Sequence, residues 1–493
     1  MKKKLLLISI FFLTSINLIM AQQGTLDSTF SGDGKLFLAP SASHDNAYGV
    51  VVQADSNIVI GGVSITQSAT SFDICAVRVH PDGSIDSTFG TNGYTIYDHA
   101  GGFDVAYDID LQTDGKIIMT GAVSITAANT DMLVVRLNTD GSFDSTFAGN
   151  GKLIIPINTS EDYAREAAIQ PDGKILIGGY TKTPGFTYNN AVMVRINTDG
   201  TLDTTFGTGG IALPNFSTQS ETIDAITLTP TGDIRAVGYS WANNTAQGIA
   251  MGFFANGSVD STFGTNGMRN MTGMSYARGI VQRNNKYYVC GNGSVAGIIT
   301  AMTEGGVNIS TFGSGGNVVV NLFNSVAYNE ITTQQDGKII AGGGTSIAMF
   351  QSDFLITRID TAGVLDATFG VNGNVHLDLG IQTSESLYGL AIQYDGKILG
   401  AGTSIVTTNN DMAIVRLNAS STATAVAEIG VDNNSAIVYP NPATNFFTIA
   451  FEQNAGVKNI SLINSFGQVV FQKQNQKENT LQIDASSFPK GIY

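Results

Sequence analysis

Cysteine is nearly missing: the 493 residues hold two, Cys75 and Cys290. They lie far apart and at different phases of the repeat described below. This excludes a disulfide-built scaffold and reads both as small, buried apolar side chains. Positive charge is also scarce. Lys and Arg number 25 against 40 acidic residues, a formal net charge of −15, so the chain has no electrostatic footprint for nucleic acid. Only 13% of residues are charged while 43% are hydrophobic, the reverse of what disorder requires. Histidine occurs four times, as His44, His80, His99 and His376, with no pair at metal-ligating spacing. A nucleophile elbow, a phosphate loop and a dinucleotide fingerprint are all missing.

Long apolar runs are absent but for one. Leu5 to Met20 is apolar apart from Thr14, Ser15 and Asn17, and it follows Lys2, Lys3 and Lys4. A basic start, a short apolar stretch and the small Ala21 read as a signal peptide over 1–21, cleaved before Gln22. No later run reaches the ~18 apolar residues of a membrane helix, so no transmembrane span is expected in the mature chain.

Glycine, by contrast, is abundant: 57 residues, well above the usual share of about 7%. It sits in phrases that repeat. "GSIDSTFGTNG" at 83–93 returns as "GSFDSTFAGNG", "GTLDTTFGTGG", "GSVDSTFGTNG" and "GVLDATFGVNG", with a copy at the mature start and a degraded one, "GVNISTFGSGG". Its phenylalanines are Phe30, Phe89, Phe147, Phe206, Phe263, Phe312 and Phe369, spaced by 59, 58, 59, 57, 49 and 57 residues. A second phrase, as in "QTDGKIIMTG", also occurs seven times, and a third, as in "DMLVVRL", five times. Each unit therefore carries four strand-like runs, in the second repeat Gly93–Asp98, Asp104–Gln112, Lys116–Ser124 and Asp131–Asn138. Asp108 and Asp110 alternate with Tyr107, Ile109 and Leu111 at the period of a strand. The Asp114-Gly115 pair marks a hairpin.

Four short strands repeated seven times at this period predict an all-β, seven-bladed propeller of four-stranded blades. The mature chain opens within a unit and the array stops within one, after "VRLN" at 415–418. The opening strand is thus expected to complete the last blade, which closes the ring and removes two sheet edges. The "DGxxDxTFGxxG" and "DGKIxxGG" phrases resemble the delta-60 repeat, a bacterial repeat assigned to propellers, over about 24–420. That resemblance implies fold and no particular activity. The organisation expected is a propeller over 22–420, a linker over 421–436 and a C-terminal domain over 437–493. The last segment, a small β-sandwich by its alternating strands, resembles the type A sorting domain of the type IX secretion system. Tyr439-Pro440-Asn441-Pro442, the turn around Gly467, and Lys490-Gly491 carry the likeness. It implies contact with the type IX export machinery, passage through the periplasm and outer membrane, and a secreted or surface location. The family's final strand and basic tail do not follow Tyr493, so the domain is expected to be incomplete.

Asp27, Asp86, Asp144, Asp203, Asp260 and Asp366 each precede the repeat phenylalanine by three. A short carboxylate at that place can accept N–H bonds within its own turn, with the phenylalanine filling the space between blades. The alternative is Ca²⁺ held by each Asp and nearby carbonyls. Arg78, Arg136, Arg195, Arg358 and Arg416 recur at one phase and are expected to bond a neighbouring turn.

Function is expected where blades differ. The hairpin after the second "GG" phrase holds Phe186 and Tyr188 in blade three, and Trp241, Asn243 and Asn244 in blade four. These form the candidate ligand-binding set. Glu161, Asp162, Glu166, Glu221 and Glu330 are unrepeated acids, scattered over blades and forming no pair that the sequence assigns. The reading is a non-catalytic, monomeric binding module for an extracellular polysaccharide or protein, without a cofactor. The alternatives are a polysaccharide hydrolase or lyase, and a surface spacer.

Overall fold

The computed structural model describes residues 23–419, apart from short loop stretches, and the strands between 436 and 484. The chain divides into two compact units, Met1–Ser421 and Thr422–Tyr493. The signal segment and most of the sorting phrases, Pro440, Asn441, Pro442, Gly467, Lys490 and Gly491, lie outside the described residues. Tyr439 ends a strand of the second unit.

The first unit is a ring of seven antiparallel blades. Blade two runs Asp104–Leu111, Ile117–Thr126, Asn129–Leu137 and Lys152–Ile155 from axis to rim, within a few residues of the runs read from sequence. The inner strands of the other blades are Asp45–Val52, Asp162–Ile169, Ala225–Leu228, Tyr276–Arg283, Ser325–Thr333 and Ser386–Ile392. Each touches the next, and the last returns to the first. The ring closes as expected: Lys35–Leu38 is the outer strand of blade seven, with Lys35 opposite Val415.

The core consists of separate apolar clusters, most of them shared by adjoining blades. The repeat phenylalanines Phe30, Phe89, Phe147, Phe206, Phe263 and Phe369 are fully buried, as is nearly all of Phe312. Cys75 and Cys290 are both buried and free.

The recurring Asp, Arg and Phe make one latch. In blade two, Arg136 Nε donates to Asp144 Oδ2 at 2.7 Å and its guanidinium lies 4.6 Å from the Phe147 ring centre. Its Nη1 reaches the Thr198 carbonyl of the next blade at 2.5 Å. Asp144 Oδ1 accepts from the backbone N–H and the hydroxyl of Thr146. The same latch recurs with Arg78, Arg195, Arg358 and Arg416, the last pairing with Asp27 from the chain's start. Burial pushes the Asp27 carboxyl up, but bonds from Thr29 and Lys397 and the Arg416 charge overcome it and hold the group at about 2. Blade four has Gly252 at the arginine position, and Arg235 on the neighbouring strand reaches Asp260 instead. Blade five has lost both partners, to Ala301 and Ile309. It keeps the turn's backbone bond, Ile309 N to Ala301 O at 2.9 Å, and carries a cavity of about 320 Å³ lined by Ala301, Ile309 and Phe312.

The second unit has a three-stranded sheet, Ala436–Tyr439, Phe446–Phe451 and Thr480–Asp484, and a two-stranded one, Lys458–Ile463 with Val469–Gln476. Phe447, Ile449 and Ile483 form its core.

Candidate functional site

Every "DGKIxxGG" phrase ends in glycine, and the ladder shows why. A Cβ on Gly121 would stand 1.8 Å from the Val105 carbonyl oxygen of the inner strand. Five other final glycines, Gly62, Gly179, Gly291, Gly343 and Gly402, face an inner-strand carbonyl at 1.9 to 2.0 Å by the same measure, and Gly238 faces the Thr222 carbonyl just before the inner strand at 2.1 Å. That close approach accompanies a β-bulge on the inner strand, as between Ala106 and Asp108. A bulge places two residues opposite one and breaks the alternation of faces. Tyr107 and Asp108 therefore line the same cavity, where the period of two had placed them on opposite faces.

Six bulge residues, Tyr48, Tyr107, Arg165, Arg278, Asn329 and Tyr388, form a ring about the axis with Asp224, which directly precedes the inner strand of blade four. Together with the next residue in five of the strands, Gly49, Asp108, Glu166, Glu330 and Gly389, they line an axial cavity of about 520 Å³. Here the seven-fold symmetry breaks. Three tyrosines adjoin, Tyr48 lying 5.6 Å from Tyr107 and 5.2 Å from Tyr388 between ring centres. Arg165 sits 4.3 Å from the Tyr107 ring centre. Arg278 donates to Asp224 at 2.7 Å, and Arg165 stands 3.9 Å from the same carboxylate. Two guanidiniums thus share one carboxylate, which leaves one positive charge on this wall.

One residue further along each strand, three blades carry acids and three carry glycine: Asp108, Glu166 and Glu330 against Gly49, Gly279 and Gly389. Asp108 accepts from Ala167 N of the next blade at 2.9 Å, and Glu330 from Ile331 N at 2.8 Å. Burial foremost, then the charges of Glu330 and Asp108, push Glu166 well above its ordinary value. Burial likewise raises Glu330 to about 8, Asp108 to about 7 and Asp110 to about 6. Near neutral pH this wall holds protons, and it can donate as well as accept hydrogen bonds.

Of the acids that the sequence left scattered, the fold brings Glu166 and Glu330 together at the axis. Glu161 pairs with Lys182 at 3.1 Å, and Asp162 and Glu221 are buried near the starts of their inner strands. The hairpin set is placed differently. Trp241 is 42% exposed, opposite Ser220 and Ala246 in its ladder. Tyr188 is half-buried just before Asn189, whose N–H donates to Ser220 Oγ at 2.7 Å, so the two hairpins meet at Ser220. Asn244 is exposed with φ +60°. Phe186 and Asn243 lie outside the described residues. The axial ring escaped the sequence reading because its members share no residue type. Its signal was positional: the residue after a small or apolar one, in the strand before each "DGK" turn.

Two family models match the chain. A secretion system C-terminal sorting domain covers residues 437–493. A β-propeller domain of unknown function, DUF5122, matches at 53–89, 112–147, 170–206, 334–369 and 393–423. No curated protein matches. Among solved structures, a protein of unknown function from Dyadobacter fermentans aligns at TM-score 0.42 and 12% identity, over 78% of this chain and 98% of that one. A surface component of the type IX secretion system of Porphyromonas gingivalis aligns at 0.39 and 12%, over 92% and 57%. An α-L-arabinofuranosidase from Fusarium graminearum aligns at 0.40 and 9%, over 80% and 98%. Among the described residues no helix is long and apolar enough to cross a membrane. The chain is thus a seven-bladed propeller, five stretches of which are DUF5122 β-propeller repeats, and it ends in a secretion-system C-terminal sorting domain.

Proposed function

We propose that the protein is exported by the type IX route, through the periplasm and across the outer membrane, and binds a polysaccharide in its axial channel. The sorting tail supports the export. The broken symmetry of the bulge ring carries the binding: tyrosine faces on one side, a guanidinium pair with one unshared charge on the other. Sugar rings stack on tyrosine, and arginine takes their hydroxyl or carboxylate groups. A cavity of about 520 Å³ falls within the usual range for small-ligand sites, roughly 300–1,000 Å³, and suits a chain end or side branch. The blade three and four hairpins, with Tyr188 and Trp241, are the rival site.

The raised carboxyls favour a second reading, a hydrolase or lyase, since glycan cleavage uses one carboxyl kept protonated beside one ionised. A glycan panel assayed for retention and for soluble products separates the readings. Retention without products is expected, weakened about tenfold by Tyr107→Ala through lost stacking and unchanged by Trp241→Ala. Loss with Trp241→Ala alone would move the site to the hairpins. Products abolished by Glu330→Gln would make the protein an enzyme. Silence on every glycan would sink the polysaccharide reading.

A further inference from the structure

At the interface of blades one and two, three carboxylates converge. Asp73 begins the third strand of blade one, Asp98 follows its outer strand, and Asp104 begins the inner strand of blade two. Each offers an oxygen within 4.8 Å of the others. Asp104 is fully buried. Its Oδ2 accepts from the His99 N–H, while its Oδ1 is buried without a hydrogen-bond partner. An unmatched carboxylate oxygen of this kind is costly in a protein interior. The His99 ring is engaged elsewhere, with Nδ1 3.0 Å from the Tyr97 hydroxyl. Burial foremost, and then Asp98 and Asp73, push the Asp104 carboxyl up to about 7.

The molecule contains its own control. Asp353, Asp378 and Glu385 occupy the same three positions between blades six and seven, again within 4.8 Å. There every buried oxygen that would need a cation has a partner. His376 Nε2 bonds Asp353, and Glu385 accepts from Leu379 N–H with both oxygens and from Ser404 Oγ at 2.9 Å. The ladder places His376 where blade one has Ile96. One cleft carries its own imidazole bonded to the first carboxylate, and the other carries an aliphatic side chain there.

We infer that the Asp73–Asp98–Asp104 cleft binds one calcium ion, which takes the place that His376 fills in the sister cleft. All three side chains are hard oxygen donors, each offering one oxygen to the cluster, a donor set that suits Ca²⁺, with carbonyls or water completing its 6–8 ligands, better than Zn²⁺. The site uses none of the axial channel's residues. It differs from the turn carboxylates considered in the sequence, since each of those is already engaged by an Arg and a Thr, and four of them also by a Lys. Asp98 is half-buried at the cleft and offers a way in.

The test is equilibrium dialysis of the chelator-treated full chain against ⁴⁵Ca²⁺, with thermal unfolding alongside. One ion per chain is expected, with a Kd of ~0.1–1 mM as in extracellular modules. At 10 mM Ca²⁺ the Tm should rise by roughly 1–4 °C. Asp98→Asn keeps an acceptor for the Gly101 N–H, bonded at 2.7 Å, and so should fold while weakening binding at least about tenfold. Ile96→His should abolish the Tm response by placing an imidazole against Asp73, as His376 stands against Asp353. No binding at 10 mM overturns the inference, and so does a Tm that 10 mM Ca²⁺ leaves unshifted. Two ions per chain, or one ion indifferent to Asp98→Asn, overturns it equally.

Discussion

The latch shows how one side chain's place depends on another. Arg136 and Asp144 are each under 5% exposed, so each is tolerable only because the other is there. Removing one partner of a buried pair leaves an uncompensated charge, whereas exchanging both for apolar groups is often nearly neutral. Blade five is that double exchange already made, with Ala301 and Ile309. Asp144→Ile alone should therefore destabilise the propeller by about 3–5 kcal/mol. Adding Arg136→Ala should recover most of the loss, read as coupling in a double-mutant cycle by chemical unfolding. Strictly additive losses would mean that the two groups act independently. The sequence exposed both residues through their recurrence. It left the partner unnamed, because the partner arrives from a separate turn eight residues away.

At the scale of the element, the final glycine of each phrase is what lets the inner strand bulge. There is no room for a Cβ at residue 121: adding one would push off the Val105 carbonyl and force the ladder to shift. Gly121→Ala should cost roughly 1–3 kcal/mol or more as overpacking and should disturb Tyr107, the ring member two residues on from that carbonyl. Unfolding curves read the first effect. Ligand retention, or failing that the near-ultraviolet signal of the tyrosine cluster, reads the second. An unchanged Tm would show that the strand relaxes around the methyl group. The strands themselves were legible to within a few residues from hairpin glycines and alternation. The bulge was not, because it interrupts the very alternation used to read a strand.

For the whole molecule, the half-buried carboxyls of the channel set a direction for stability with pH. Asp110, Asp108 and Glu330 have folded values of about 6, 7 and 8, above the ~4 of an unfolded carboxyl. The folded state keeps protons that the unfolded state has released. Their contribution is complete below about 4 and is lost as pH rises through 6 to 8. Asp27 works oppositely: its folded value of about 2 gives stability above about 4 that is lost as pH falls through 2. The Tm should therefore peak between about pH 4 and 6 and fall toward pH 8.5, and Glu330→Gln should flatten that fall. A Tm that climbs steadily to pH 8.5 would contradict this assignment of protons to the channel.

Blade number, ring closure by the N-terminal strand and the export tail could all be read from the sequence alone. These properties are local and repeated: each phrase encodes a turn or a strand by its own chemistry, and seven copies reinforce one another. What only the tertiary structure decided lies where residues from different blades converge. Tyr48, Tyr107 and Tyr388, or Glu166 and Glu330, are separated by 59 to more than 300 residues and share no motif. They become neighbours because the ring brings one short stretch of every inner strand to a common axis.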